Sequence, residues 1–355
     1  MPYSNTFDEW GPEYVVRVYK PSIGLEGFLV VDNTTLGPGK GGIRMTPDIS
    51  EEEVRRLARA MTWKTALAGI PFGGAKAGIR WSGGSEEQKK KLMQAFARAI
   101  KIFTPRKYIA GPDVNTGEKE MQWFVEATGN WKSATGKPAK LCMLVLGKGG
   151  SVEQCGIPHE FGSTGFGVAH ATRVAAELLK LPMRGATVAL HGFGNVGSFT
   201  AKYLKVMGAK IVAIATKEGA TYKGKKIPRE DFWKVPVDIL IPASVTDVIN
   251  DSNKRFIKAK LVVEGANIPM QERIEQELWK KGIMIVPDFV ANSGGVISSY
   301  AEYRGYNPKQ MFRTVEHKII QSTREVLEKA LKTGRNPRDI ALEIAKERIK
   351  SHGKS

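Results

Sequence analysis

Residues 187–208 read TVALHGFGNVGSFTAKYLKVMG, and the next apolar run, KIVAIA, begins at Lys210. An apolar strand, a glycine-rich turn, an amphipathic helix and a second strand follow one another without a gap. Gly192, Gly194 and Gly197 stand in the spacing G-x-G-x-x-G, with Val196 inside it. Glycine is required there because backbone N–H groups and a helix N-terminus must come against a pyrophosphate, an approach that side chains would block. Alone this spacing is weak; seated between a strand and a helix of one βαβ unit it is specific.

Outward from that turn the same rhythm continues. The runs TVALH (187–191), KIVAIA (210–215), VDILIP (237–242), KLVVEG (260–265) and IMIVPD (283–288) start 23 to 27 residues apart, about what one strand, one helix and two turns need. This predicts a parallel sheet, a Rossmann-like dinucleotide-binding domain over 161–307. The second strand of such a unit commonly ends in an acid that accepts from the ribose hydroxyls and selects NAD. Here Thr216 and Lys217 hold that place, nineteen residues after Gly197. A hydroxyl and a cation welcome a 2′-phosphate, so NADP is the expected coenzyme. NAD stays open, because a small register shift brings Glu218 into the position.

The first part of the chain has a different pattern. Alternating runs at 14–19 and 27–31 predict strands joined by a turn at 22–24. Ser50 and Glu53 predict a capping box, followed by the stripe Val54, Leu57, Ala58, Met61 and Ala68, ending near Gly69. Residues 1–160 are therefore expected to form an α/β substrate-binding and oligomerisation domain. Beyond Pro308 the sequence is mostly amphipathic helix, interrupted at 334–337, and 308–355 is expected to pack back on that domain.

Composition limits the function classes. With 355 residues, two domains are expected, and 42% hydrophobic content is that of an ordinary globular protein. No run of eighteen apolar residues occurs and the start lacks a secretory layout, so a cytoplasmic location without membrane contact is expected. Only Cys142 and Cys155 occur, outside any C-x-x-C pair, which argues against a disulfide framework or zinc site. With five scattered histidines, no metal is expected. The net charge of +18 favours anionic partners. The basic residues are spread, densest at 329–354, without any nucleic-acid-binding signature, so no nucleic-acid partner is expected.

Three lysines fall in unusual settings: Lys40 in GPGKGGIR, Lys64 in MTWKTALAG and Lys76 in PFGGAKAGI. Lys64 lies at the edge of the apolar stripe, where a buried ammonium is costly unless paired. Glycines beside Lys40 and Lys76 let a ligand approach the backbone. Singly, each reads as a solvated surface lysine; taken together with the resemblance that follows, they read as a site for anionic groups.

The segments GPGKGGIRM, MTWKTALAGIPFGGAKAGI, AGPDVNTG, HGFGNVG, VVEGAN and ANSGGVISSYAE, spread from Gly37 to Glu302, resemble in order and spacing the Glu/Leu/Phe/Val dehydrogenase family. The resemblance implies oxidative deamination of an L-amino acid to a 2-oxo acid and ammonia, with hydride passing to a nicotinamide. It implies Lys76 and Asp113 as catalytic residues and Lys64 as the partner of the α-carboxylate, with Met61 also in the substrate site. Neighbouring cations and partial burial are expected to lower the pKa of Lys76. In family members acting on glutamate a lysine and a serine hold the side-chain carboxylate, and Lys40 and Ser299 match that pair. The implied substrates are L-glutamate, 2-oxoglutarate and ammonia. Thr164, Asn195, Asn267 and Asn292 match positions around the nicotinamide and its ribose, and each reads equally well as a turn or cap residue.

The chain departs from the family pattern in three places. It starts close to its first strands, without the extra N-terminal helices that help subunits pair, so the expected homo-oligomer is either a hexamer or a dimer. Residues 139–163, AKLCMLVLGKGGSVEQCGIPHEFGS, replace a short glycine-serine segment. The family's GANGP reads GANIP at 265–269. Two alternatives stay open: a dehydrogenase of another L-amino acid, and a non-catalytic NADP-binding relative with a regulatory role.

Overall fold

The computed structural model describes residues 7–147 and 150–353. They form two compact units. The first takes the described residues up to Phe161, Val296–Met311 and those from Ala345; the second is Gly162–Gly295 with Phe312–Ile344.

In the first unit, β1 (Tyr14–Lys20) and β2 (Leu25–Asn33) form an antiparallel hairpin closed by Gly24 in the left-handed region. Then come β3 (Gly39–Lys40), β4 (Ile43–Thr46), α1 (Glu51–Leu67), β5 (Gly73–Arg80), α2 (Glu86–Ala99), β6 (Tyr108–Ile109) and α3 (Glu118–Thr128). The sheet order is β1-β2-β5-β3-β6, with β4 also on β5. Alternation along β5 decides the site. Ala75, Ala77 and Ile79 enter the core with Leu29, Val31, Phe96 and Phe124. Gly74, Lys76 and Gly78 therefore face the other side, where Val54 and Ala58 of α1 pack with Phe28 and Val30. A Cβ on Gly74 would lie 2.2 Å from the Thr62 nitrogen, so only glycine lets α1 lie this close to the strand.

The predicted cap of α1 is half formed. Ser50 accepts from the Glu53 N–H at 3.2 Å, but the Glu53 carboxylate accepts from Arg44 at 2.6 Å instead of turning back to the cap. A further hairpin, β7 (Cys142–Gly147) and β8 (Gly150–Cys155), sets Cys142 opposite Cys155, and their sulfurs are bonded. The expectation against a disulfide is thereby corrected: cross-strand register, which no C-x-x-C spacing announces, brings the thiols together.

The second unit contains α4 (Ser163–Leu178), β9 (Thr187–His191), α5 (Asn195–Val206), β10 (Lys210–Thr216), β11 (Gly219–Tyr222), β12 (Lys225–Ile227), β13 (Ile239–Pro242), β14 (Leu261–Val263), α6 (Glu272–Lys280), β15 (Met284–Val286) and α7 (Asp288–Ala291). The order β12-β11-β10-β9-β13-β14-β15 is parallel from β10 to β15. β10 lies on one side of β9 and β13 on the other, so the strand order reverses at β9, and the glycine turn leaves its carboxyl end at that switch point. Between β10 and β13 the expected helix is replaced by an antiparallel hairpin whose Lys223–Gly224 turn has φ of 49° and 80°. Two consecutive positive φ values are those of a tight type I′ turn.

The chain passes between the units within α8 (Gly294–Tyr303), α9 (Pro308–Thr333) and α10 (Pro337–His352). The expectation that all of 308–355 packs on the first part differs from the structure, because Phe312–Ile344 belongs to the second unit. Ion pairs hold it there: Arg324 pairs with Glu177 and Arg338 with Glu264. Among the described residues no helix is long and apolar enough to cross a membrane.

Candidate active site

Lys40 ends β3 and lies beside Gly74 of β5 in parallel register. Lys76 is two residues further along β5, on the same face of the sheet. Lys40 is 3% exposed, and its Nζ donates to the carbonyls of Ala110 at 2.7 Å and Ile109 at 3.4 Å. A Cβ on Gly111 would sit 2.4 Å from that Nζ, so the glycine of AGPDVNTG makes room for the ammonium. Burial lowers the Lys40 pKa to about 7; Glu302 raises it, and Lys137 and Lys76 lower it further.

Lys76 Nζ donates to Asp113 Oδ2, and Arg44 Nε donates to Asp113 Oδ1 at 2.8 Å. Burial alone would raise the Asp113 carboxyl, but the charges of Lys76 and Arg44 outweigh it and hold its pKa below the usual carboxylate range. Asp113 therefore stays ionised. Its loop is fixed because its N–H donates to Thr116 Oγ1, which donates to the Ile43 carbonyl at 2.7 Å. Gly42 permits the close approach, since a Cβ there would lie 2.8 Å from the Asp113 Cβ.

Lys64 is half-buried in the last turn of α1 and Met61 lies one turn earlier, also half-buried. A helix C-terminus is itself a favourable place for a cation, so Lys64 already serves its own helix there. Ser299 is half-buried on α8, one turn before Glu302, the carboxylate whose charge acts on Lys40.

Sequence reasoning missed Arg44, Lys137 and Glu302 as members of this region. Glu302 pairs with Lys137 at 2.6 Å, both side chains almost fully buried. Its Oε2 accepts from the Gly136 and Ile157 N–H groups at 2.7 and 2.9 Å. Glu302 thus ties the residue before Lys137 and the segment leaving the disulfide-closed hairpin to α8. Its position in SYAE was visible; its partner, 166 residues away for Gly136, was not.

In the second unit, the turn after β9 is shaped by its glycines. Gly192 has φ of 104°, and a Cβ on Gly197 would lie 2.1 Å from the Gly192 oxygen. A Cβ on Gly194 would meet nothing within 4 Å, and α5 starts at Asn195 without a side-chain cap. The first turn of α5, including Val196, thus points N–H groups toward open space, which fits a pyrophosphate. Thr216 closes β10 and accepts from the Glu218 N–H at 3.2 Å. Lys217 extends into solvent with its side chain 90% exposed, 3.8 Å from the Glu218 carboxylate. Thr164 lies in the first turn of α4, whose N-cap is Gly162. Asn292 Nδ2 donates to Asn267 Oδ1 at 3.0 Å, joining the ends of two segments. The one grouping of possible metal ligands among the described residues, Cys142, Glu153 and Cys155, has both sulfurs in the disulfide.

The doubly wound sheet with its capless glycine turn is the fold of a nucleotide-binding domain; the other unit holds buried lysines and an ionised aspartate. Residues 12–130 match the Glu/Leu/Phe/Val dehydrogenase dimerisation domain, and residues 155–229 and 221–354 match the Glutamate/Leucine/Phenylalanine/Valine dehydrogenase domain. The chain is 37% identical to a glutamate dehydrogenase of Aeropyrum pernix, over 91% of this chain and 84% of that one. It is 36% identical to an NADP-specific glutamate dehydrogenase of Saccharolobus shibatae (82% and 75% covered). It is 34% identical to an NAD-specific glutamate dehydrogenase of Staphylococcus aureus (86% and 78%). Among solved structures, the hetero-hexameric glutamate dehydrogenase of Thermus thermophilus in its Leu-bound form is similar, with a TM-score of 0.84 at 26% identity, covering 96% of this chain and 89% of that one. The chain belongs to the Glu/Leu/Phe/Val dehydrogenase family and is an NAD(P)-dependent amino-acid dehydrogenase acting on the CH–NH2 group.

Proposed function

We propose that the enzyme catalyses the reversible, NADP-dependent oxidative deamination of L-glutamate to 2-oxoglutarate and ammonia. The observation that carries the choice of glutamate is Lys40, a buried cation held by main-chain carbonyls, while the neighbouring carboxylate Glu302 is committed to Lys137. A ligand's side-chain carboxylate gives that ammonium a counter-ion, with Ser299 as the second donor. Lys64 holds the α-carboxylate, and Met61 packs beside it. A charge-assisted contact of this kind is worth about 1.5 to 3 kcal/mol, which favours glutamate over leucine about tenfold or more.

Catalysis is assigned to Lys76 and Asp113. Asp113, held as a carboxylate, takes the proton leaving the substrate's amino group. Lys76 then orients water toward Cα and exchanges its proton. A bound nicotinamide would supply the acceptor for the hydride leaving Cα. Gly192, Gly194, Val196 and Gly197 would hold its pyrophosphate, while Thr164, Asn195, Asn267 and Asn292 would line the nicotinamide and ribose. Thr216 and the exposed Lys217 support NADP. The relatives include both NADP-specific and NAD-specific enzymes, so this preference rests on those two residues. The match of the first unit to a dimerisation domain supports a homo-oligomer.

A second reading, another L-amino acid as substrate, is favoured by the hairpin that replaces the family's short segment. It leads directly to the short helical turn His159–Phe161, whose side chains are not buried. Reductive amination of a panel of 2-oxo acids with ammonium, followed by NADPH and NADH absorbance, tests both readings. Highest kcat/KM for 2-oxoglutarate with NADPH is the expected result; a higher value for an apolar 2-oxo acid overturns the choice of glutamate.

A further inference from the structure

Ile268 stands where the family pattern has glycine, and it adopts φ of 47°. A β-branched residue in the left-handed region is an outlier that costs about 1–3 kcal/mol and persists only where its surroundings hold it. The holding contact is a hydrogen bond from the Ile268 N–H to Asp288 Oδ2 at 2.9 Å. Asp288 is itself fixed twice. Its N–H donates to Glu264 Oε2 at 2.8 Å, and its other oxygen accepts from Arg338 Nη2 at 3.1 Å.

Arg338, at the start of α10, also donates to Glu264 at 2.8 Å and Glu275 at 2.5 Å. All four side chains are 8% exposed or less. Glu264 Oε1 and Glu275 Oε1 are buried without a hydrogen-bond partner among the described residues. Three carboxylates meet one guanidinium in a buried place, which disfavours their all being ionised together. Burial accordingly raises the pKa of Glu264 and Glu275 against the charge of Arg338. Such a cluster is stiff, because each member's position depends on the others.

We infer that the Arg338–Asp288–Glu264 cluster is a positioning device that forces the Asn267–Ile268 turn into its strained conformation and so sets the coenzyme affinity of the neighbouring Asn267–Asn292 pair. Asp288 begins the helix that ends just before Asn292, so one carboxylate fixes both segments. Neither Asp288 nor Arg338 needs to touch coenzyme; both act through Ile268 and Asn292. The inference rests on the proposed reading of Asn267 and Asn292 as coenzyme contacts.

The test is titration of NADPH fluorescence with the purified full-length enzyme and its variants. Asp288→Ala is expected to raise the dissociation constant at least fivefold. Adding Ile268→Gly, which reaches positive φ without steric cost, is expected to recover at least half of that loss on a logarithmic scale. A merely structural defect would appear in urea unfolding and leave the NADPH affinity of the folded variant unchanged. Arg338→Lys, which keeps a cation but loses the fork, is expected to weaken binding about threefold with the same rescue; it decides the matter if Asp288→Ala does not fold. Binding within twofold of the unaltered enzyme in a variant with native circular dichroism, or no rescue by Ile268→Gly, overturns the inference. Asn292→Ala separates it from the reading beneath it. If Asn292→Ala binds NADPH normally, both the loop's assignment and the inference fall. If Asn292→Ala weakens binding but Asp288→Ala does not, the assignment stands and the positioning role is overturned.

Discussion

Each unit buries a charge cluster, and the two are opposite in sign. In the first, Lys76 and Arg44 converge on Asp113 while Lys40 lies buried close by. In the second, Glu264, Glu275 and Asp288 converge on Arg338. A buried ammonium can be relieved by losing its proton or by gaining an anionic ligand, and burial, more than its cationic neighbours, lowers the pKa of Lys40. An excess of buried carboxylates can be relieved by proton sharing, so it needs no ligand and serves to fix backbone. On the proposed function, the sign of the surplus separates a cluster suited to an anionic ligand from one suited to fixing backbone.

If that contrast is right, variants in the cationic cluster change turnover and selectivity. Lys76→Ala is expected to lower kcat by at least about 100-fold, the usual range of a lost proton-transfer group, while NADPH binding measured by fluorescence survives. Near-normal kcat removes Lys76 from the chemistry. Lys40→Leu is expected to reduce the preference for glutamate over leucine about tenfold or more, read as the ratio of kcat/KM values; an unchanged ratio disposes of Lys40 as the specificity residue.

The depressed pKa of Lys40 gives the contrast a pH signature. Its ammonium is present below and lost above pH about 7 in the free enzyme, so kcat/KM for 2-oxoglutarate should fall above that pH, by up to about tenfold per unit. Lys40→Arg, which keeps its charge, should lack this decline; a profile identical to that of the unaltered enzyme assigns the titration elsewhere. Smaller effects are expected at the coenzyme's edge. Lys217 is exposed, so Lys217→Ala should weaken NADPH relative to NADH only about two- to fivefold, and an unchanged ratio of dissociation constants would place the selection elsewhere. Smallest is Ser50→Ala. Loss of half a cap should cost about 1 kcal/mol in urea unfolding, with kcat unaffected.

Much of the framework was legible because it is local. The turn at 192–197 lies between neighbouring elements, and the strand periodicities lie within single runs, so spacing alone predicts both β9 to α5 and the β1–β2 hairpin. The capping box at Ser50 was half legible. Its Glu53 is taken by Arg44 of β4, which also holds Asp113, and a tertiary partner overrode the local one. The hairpin after β10 was not foreseen, since a period of 23 to 27 residues accommodates a helix or two short strands equally well. The disulfide was missed because facing positions on paired strands have no fixed separation in sequence.

Residue types and spacing were enough, without coordinates, to indicate an α/β chain with a dinucleotide cradle and to single out Lys40, Lys64 and Lys76, whereas Asp113 came only with the family resemblance. Which charges are buried, and what answers them, was decided only when the chain closed on itself. Glu302 reaches Gly136 across 166 residues and Arg338 reaches Glu264 across 74. Periodicity and turn chemistry act between neighbours, whereas the cost of a buried charge depends on whichever group the fold brings beside it.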